Sequence, residues 1–513
     1  MSSENTRICR VVAVGSGRGG AGKTLIAANV GVYLAQIGKK VVLVDLNWTS
    51  PALHVALGIE FPSSDIGSLI GSRTAEIHDI VTPTNIPGLE FIAGPGDYFG
   101  ISRNLKEIRE NVSLMLASIE ADYMLVDLPP GIDPAAVYHF AQASVPVVMI
   151  RPEPSSVEQT YRFISAVYLE RFLGMEGLEE NEREEIRQLV SGGINYMTPL
   201  DLCSALSSIH GLKEKAERIR HQFMPCIIVN DTRLSSDMEL AESMVSVCGR
   251  RLGIRLVPLG HVEHDDTVIM NARRLKPFII EQPGAKASKN LEKIVRRLLV
   301  LESGDLPDPP PLPSDAYTYY DTLEIYPGAT EDEVRTSYRK LRDIYSPGSL
   351  AASGILNAGQ HNDVMRQIEE AYVTLSDPMK RRRYDRMVFP DGLPARPPKA
   401  ASINRESAEV TDRSIRLEPP EIDPDVEITG SLLRTVREEM RIELAEISQR
   451  TKISNTYLNA IEEESYDDLP ALVYTRGFVF EMARYLRMDP HRAARDYAVR
   501  FRDYLRSHHR LDE

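Results

Sequence analysis

Eight consecutive residues near the N-terminus have the types and spacing to bind phosphate. Gly17, Arg18, Gly19, Gly20, Ala21, Gly22, Lys23 and Thr24 fill the pattern G-x-x-x-x-G-K-[ST]. The glycines let backbone N–H groups wrap around phosphate oxygens, and a helix starting at Lys23 would add its positive dipole end. The Lys23 ammonium would reach the β- and γ-phosphates and the Thr24 hydroxyl would hold Mg²⁺. A tight strand-to-helix turn that binds nothing would need neither Lys nor Thr at those two places. Two carboxylates further along, Asp45 and Asp127, each end an apolar run and are the candidate partners of the metal. Gly131 follows Asp127 closely enough to offer a backbone N–H to a γ-phosphate.

The elements needed to position these groups can be read around them. Val11 to Gly15 reads as a buried strand, and Leu25, Ile26, Asn29, Val30 and Leu34 have helical spacing directly after the loop. Lys39 to Asp45 reads as a second buried strand ending in an acid, and the run from Asp122 to Gly131 reads as another, with Asp127 as its terminal acid. With these residues in place the chain resembles the MinD/ParA family of deviant P-loop ATPases. Arg18-Gly19-Gly20 is similar to the family's loop, and Val44-Asp45-Leu46-Asn47 sits where the family has its Asp-x-Asp switch. Val147 to Ser156, and Leu259 to Asp266 followed by Arg273 to Pro277, resemble the FlhG branch. Ile227 to Asn230 resembles the strand whose Asn reads adenine. The resemblance covers roughly 7–301. It implies a doubly wound, mostly parallel α/β sheet, ATP and Mg²⁺ as ligands, and a dimer closed around ATP.

Two positions depart from the family. Its signature Lys, which reaches across the dimer to the partner's phosphates, is Arg18 here. Arg keeps the charge but is longer and forked. The second Asp of the switch is Asn47, which is neutral and cannot take a proton. Because phosphoryl transfer rests on positioning and charge, this swap predicts slow hydrolysis with ATP and Mg²⁺ binding retained. The alternative is that Asn47 still orients water, or that Asp133 or Asp45 takes over.

The 513 residues suggest about three domains. A formal net charge of −14 favours no global affinity for nucleic acid. Cys9, Cys203, Cys226 and Cys248 show neither metal-ligand nor redox spacing and read as small hydrophobes in a reducing cytoplasm. No apolar run reaches transmembrane length and the N-terminus has no signal-peptide core, so a cytoplasmic location is expected. Residues 304–314 are proline-dense and 389–426 are poor in apolar residues, and both read as linkers. They divide the chain into 1–303, 315–388 and 427–513. Within the first part, 173–220 reads as a helical insertion. Lys286 to Leu301 is basic and amphipathic. Packing of its Leu291, Ile294, Val295, Leu298 and Leu299 face on the sheet is favoured over peripheral membrane contact.

Residues 315–385 are helical in pattern. Thr330 would cap a helix running to about Leu341, and 364–375 form a second, ended by Ser376 to Asp385. Tyr338 to Leu341, Leu375 to Pro378 and Arg383 to Asp385 resemble a J-domain of the DnaJ type. The family's His-Pro-Asp tripeptide is Ser346-Pro347-Gly348 here, so a docking module is expected rather than a working co-chaperone. Lys380 to Arg383 could touch nucleic acid or an acidic protein, and a solvated basic face is the favoured reading.

Residues 429–504 are all helical by pattern. Leu444 to Thr451 and Asn455 to Glu463 have the rhythm of a helix-turn-helix. With Tyr466 to Pro470 and Tyr474 to Leu486 they resemble the cytoplasmic domain of RodZ, a bacterial cytoskeleton adaptor. Glu462, Glu463 and Glu464 close the recognition-like helix, which favours protein over DNA as its partner.

The reading predicts an α/β P-loop domain followed by two small all-α modules on linkers. Its function is a cytoplasmic ATP-dependent dimerising switch that positions a partner held through the two helical modules. Lys23, Thr24, Asp45 and Asp127 would carry nucleotide and Mg²⁺, Arg18 the cross-dimer contact, and Asn47 the impaired step. The alternative is a scaffold that binds ATP without hydrolysing it, or a DNA-binding regulator acting through its helix-turn-helix.

Overall fold

The structure is a computed structural model. It describes residues 9–48, 50–71, 77–96, 112–113, 116–191, 197–208, 211–301, 318–390, 392–394, 426–440, 442–451 and 453–507. The expected linker 304–314 and most of 389–426 lie outside the described residues. The chain divides into two compact units, one made of 1–31, 42–83 and 90–402, the other of 32–41, 84–89 and 403–513.

The eight strands are β1 Arg10–Gly15, β2 Val41–Asp45, β3 Thr82–Pro83, β4 Leu89–Ile92, β5 Tyr123–Asp127, β6 Val145–Ile150, β7 Cys226–Thr232 and β8 Val257–Glu263. They form one sheet in the order β3-β4-β2-β5-β1-β6-β7-β8. β1 pairs in parallel with both β5 and β6, and β6–β7 and β7–β8 are also parallel. The described antiparallel pair is β3–β4. Valine and isoleucine dominate the central strands, and β2 and β5 are buried along their whole length. Such two-sided burial requires helices on both faces, as the doubly wound reading expects. β1 sits where the strand order reverses, so the C-terminal ends of β1, β2 and β5 flank a crevice, the usual ligand position in an open α/β sheet.

Helix α1 Lys23–Gln36 follows β1, α2 Pro134–Gln142 follows β5, and α3 Pro154–Leu173 follows β6. The expected insertion is helical: α4 Glu180–Ser191, α5 Pro199–Ala205 and α6 Leu212–Gln222 precede β7. Helix α7 Leu240–Leu252 joins β7 to β8, and α8 Lys286–Val300 follows. Leu291, Ile294, Val295, Leu298 and Leu299 of α8 are all buried. Arg297 Nη1 donates to the Leu259 carbonyl of β8 at 3.0 Å, so this amphipathic helix packs on the sheet. Among the described residues no helix is long and apolar enough to cross a membrane.

The J-like region holds α9 Glu331–Ile344, α10 Ala358–Leu375 and α11 Pro378–Val388. Thr330 caps α9 in a reciprocal box with Glu333. The sequence reading takes Ser376 to Asp385 as the segment that ends the second helix, whereas a further helix begins at Pro378. Asp377 Oδ1 accepts the Met379 and Lys380 amides and Pro378 opens the next helix, so a capping signal was read as a stop.

The C-terminal unit contains α12 Gly430–Glu439, α13 Leu444–Thr451, α14 Asn455–Glu463, α15 Leu472–Tyr485 and α16 Pro490–Ser507. Its core includes a bidentate pair of Arg437 on α12 with Glu462 on α14, at 2.6 and 2.9 Å, and the Glu462 side chain is only 1% exposed.

Candidate functional site

The predicted site loop connects β1 to α1. Gly20 and Gly22 have φ of +81° and +87°, conformations that favour glycine. Lys23 opens α1 and is nearly buried. Its Nζ donates to Ser16 Oγ at 3.0 Å, while Ser16 Oγ donates to the Arg18 carbonyl at 2.6 Å. Ser16 is a residue the sequence reading passed over. It lies one position before the motif, at the end opposite Lys23 in the sequence, and only the fold brings the two together.

Thr24 and Asp127 come together from α1 and β5. Thr24 Oγ1 donates to Asp127 Oδ2 at 2.5 Å. Asp127 Oδ1 is buried with no hydrogen-bond partner. Asp45 is fully buried at the end of β2, close enough to raise the pKa of Asp127 by repulsion. Its oxygens accept the amides of Asn47 at 3.0 Å and of Ala52 and Leu53 at 2.9 Å, fixing the turn after β2. Burial pushes the Asp45 carboxyl up to about 6, against those three hydrogen bonds. Burial, then Asp45, push Asp127 up to about 7. Burial also lowers the Lys23 pKa, and Asp127 opposes that shift. Two carboxyls shifted up and one buried oxygen left unpaired describe a site short of positive charge. The hydroxyl and carboxylate oxygens fit a hydrated Mg²⁺, which takes octahedral oxygen ligands and keeps several waters.

The remaining predicted residues are placed less directly. The Gly131 amide donates to the Ser16 carbonyl at 2.9 Å, so it braces the phosphate loop, and that bond must open before it meets a phosphate. Asn230 leaves β7 with its Nδ2 donating to the Ala21 carbonyl at 3.0 Å. A Cβ at Gly22 would collide with that amide, so Asn230 lies across the end of the loop. Arg18 is half-exposed and turned to its own chain, pairing with Glu153 at 3.1 Å and with the Ser155 hydroxyl. The Asn47 side chain is partly buried beside Trp48, the single tryptophan, which is buried. None of the described His, Cys, Asp and Glu residues form a cluster of three or more able to hold a metal.

Residues 9–171 match the family model described as an AAA domain, 318–385 the DnaJ domain and 432–493 a helix-turn-helix domain. The septum site-determining protein MinD of Synechocystis sp. is 29% identical over 301 residues, 58% of this chain and 91% of that protein. MinD of Helicobacter pylori is 28% identical over 182 residues, 35% of this chain and 66% of that protein. The solved structure of Pyrococcus horikoshii MinD complexed with Mg-ADP covers 57% of this chain and 97% of its own. It is 18% identical with a TM-score of 0.39.

Proposed function

We propose that this chain, a homologue of the MinD/ParA P-loop ATPases through its N-terminal region, is an ATP-dependent dimerising switch that recruits or positions a partner and hydrolyses ATP slowly. The observation that carries the reading is the convergence of Lys23, Thr24 and Asp127 at the end of a glycine loop, with an unpaired buried carboxylate oxygen beside them. Backbone amides of residues 17–24 and the Lys23 ammonium would hold the phosphates. Thr24 and Asp127 would hold Mg²⁺, which when bound neutralises phosphate charge and polarises the γ-phosphoryl group. Asp45 would act by fixing the switch turn. Arg18 would leave Glu153 and Ser155 to reach a partner's nucleotide. The J-like and helix-turn-helix modules would carry the protein contacts. The relatives named as septum-site proteins support a role in placing something in the cell, and a cytoplasmic location follows the same reading. Light scattering of the full chain with ATP analogue or ADP, each with Mg²⁺, tests the switch. Dimers with ATP analogue only are expected, and monomers with both would count against it.

A second reading is favoured by one observation in the C-terminal unit. Of the three acids closing α14, Glu462 is paired with Arg437, and Glu464 with Arg500 at 2.6 Å. Internal neutralisation of two acids weakens the charge argument against DNA. Salt-dependent, sequence-selective binding of duplex DNA by the full chain would favour the regulator reading over the protein adaptor.

A further inference from the structure

The J-like helices belong to the same compact unit as the nucleotide fold, and one continuous apolar core runs through both, from Phe163 and Val247 to Tyr345 and Ala351. Helix α3 supplies part of the junction. Tyr161 Oη donates to the Ala351 carbonyl at 2.6 Å, in a buried site. The Glu158 side chain occupies the space that a Cβ at Gly354 would take. Helix α7 supplies the rest. Ser246 Oγ donates to Glu324 at 2.5 Å, and Arg250 Nη2 donates to the Thr322 carbonyl at 2.7 Å. The Arg250 guanidinium also lies 5.4 Å from the centre of the Tyr345 ring. Tyr345, Ala351 and Gly354 all lie on the connection between α9 and α10, which also carries Ser346-Pro347-Gly348.

The same stretch of α3 touches the phosphate loop. Arg18 is held by Glu153 and Ser155 in the first turn. A Cβ at Gly17 would collide with the backbone of Gln159 and Thr160, so loop and helix are in contact with no space between them. Glu153 caps α3 without a side-chain cap bond, its carboxylate pairing instead with Arg18 and, at 3.3 Å, with Arg151. Residues 153–161 thus touch the phosphate loop at one place and the J-like connection at another.

We propose that α3 couples the phosphate loop to the J-like module, so that nucleotide binding loosens the 345–356 connection. This rests on the nucleotide-switch reading above. Arg18 cannot hold Glu153 and Ser155 and also reach a phosphate. Once it leaves, the first turn of α3 loses those contacts, and a close-packed interior passes the shift on to Tyr161 and Glu158. Coupling is reciprocal, so a module held less firmly by α3 raises nucleotide affinity.

The test is amide hydrogen exchange on the full chain, with and without a saturating non-hydrolysable ATP analogue and Mg²⁺. Occupancy is read in the same samples with a fluorescent ATP analogue. Exchange across 345–356 is expected to speed up by roughly 5-fold or more on binding, within the range of allosteric coupling. In Tyr161→Phe, which leaves the nucleotide site untouched, that stretch is expected to exchange fast already and to lose the response. By the same reciprocity Tyr161→Phe should raise analogue affinity several-fold. Full occupancy with unchanged exchange overturns the coupling and leaves the switch reading standing. No occupancy overturns both. A full response retained in Tyr161→Phe overturns the route through α3.

Discussion

Thr24 and Asp127 are joined directly, the threonine hydroxyl donating at 2.5 Å to one carboxylate oxygen while the other stays buried and unpartnered. The bond crosses from α1 to β5 and so fixes both at the mouth of the crevice. A threonine needed only for helix capping would not have to meet an acid from another strand.

The two raised carboxyls set a pH dependence. In the metal-free protein Asp45 at about 6 and Asp127 at about 7 hold protons more tightly than an unfolded chain, whose aspartates titrate near 3.8. Their contribution to stability is therefore full below the unfolded value and is lost as pH rises through about 6 to 7. Mg²⁺-nucleotide needs the ionised forms, so its stabilising effect grows over the same window. The rise in melting temperature caused by Mg-ADP should increase between about pH 5.5 and 8. Asp127→Asn should flatten that increase. A wild-type shift independent of pH would show that these carboxyls do not meet the metal.

Lys23→Ala should abolish ATP binding, because the ammonium held by Ser16 is the main side-chain charge available to the β- and γ-phosphates. Ser16→Ala should weaken binding only several-fold, since it aims the lysine without carrying charge. Equilibrium titration with a fluorescent ATP analogue distinguishes the two. Unchanged affinity in Lys23→Ala would remove the phosphate-site assignment.

The J-like module should not stimulate the ATPase of a DnaK-type chaperone. Ser346 and Gly348 lack the imidazole and carboxylate of the His-Pro-Asp tripeptide. Restoring both side chains meets a backbone obstacle, because Gly348 has φ of +87°, which an aspartate adopts at a cost of about 1–3 kcal/mol. The Ser346→His, Gly348→Asp variant should therefore recover at most part of an ordinary J-domain's stimulation in a steady-state chaperone assay. Stimulation by the wild type would reverse this reading.

Arg437 and Glu462 form the most deeply buried ion pair of the C-terminal unit among the described residues. Removing one partner leaves a charge without compensation, at a cost of about 3–5 kcal/mol. Arg437→Ala should unfold that unit at a lower denaturant concentration while leaving nucleotide binding intact. Arg437→Met with Glu462→Leu should recover much of the loss. Equal stability of the single variant and wild type would show that the pair is solvated in solution.

The sheet and the glycine-rich turn between β1 and α1 were legible because local signals agree with the global fold. Valine-rich runs end in Asp45 and Asp127, and the glycine motif falls between a strand and a helix. The capping box at Thr330, the helix-turn-helix bounds and the packing of α8 were legible for the same reason. What sequence could not show was partner choice across long separations. Nothing in Glu462 announces Arg437, and nothing in Arg18 announces Glu153. The extra helix at Pro378 was missed because Asp-Pro both stops one helix and starts another.

Asn47→Asp should raise kcat by about 10-fold or more with little change in ATP affinity, within the range for a positioned base or water-orienting group. Asp45 already accepts the amides of Asn47, Ala52 and Leu53. Asp133 is the cap of α2, its Oδ1 accepting the Ala135 amide at 2.8 Å and the Ala136 amide at 3.2 Å. Asp127 is turned to Thr24. Asp45 and Asp133 each hold backbone amides, and the unpartnered oxygen of Asp127 is the one assigned to the metal, so none of the three is placed to cover the deficit at position 47. The substitution keeps shape and adds charge near Asp45 and Asp127, a repulsion that bound Mg²⁺ offsets. A group acting mainly in the transition state changes kcat and not the affinity for substrate. Multi-turnover phosphate release at saturating ATP measures the rate, and quenching of the neighbouring Trp48 measures affinity in the same protein. Brisk turnover by the wild type, or no gain in the variant, would show that Asn47 is not the brake and would move that role to Arg18, whose side chain is held away by Glu153.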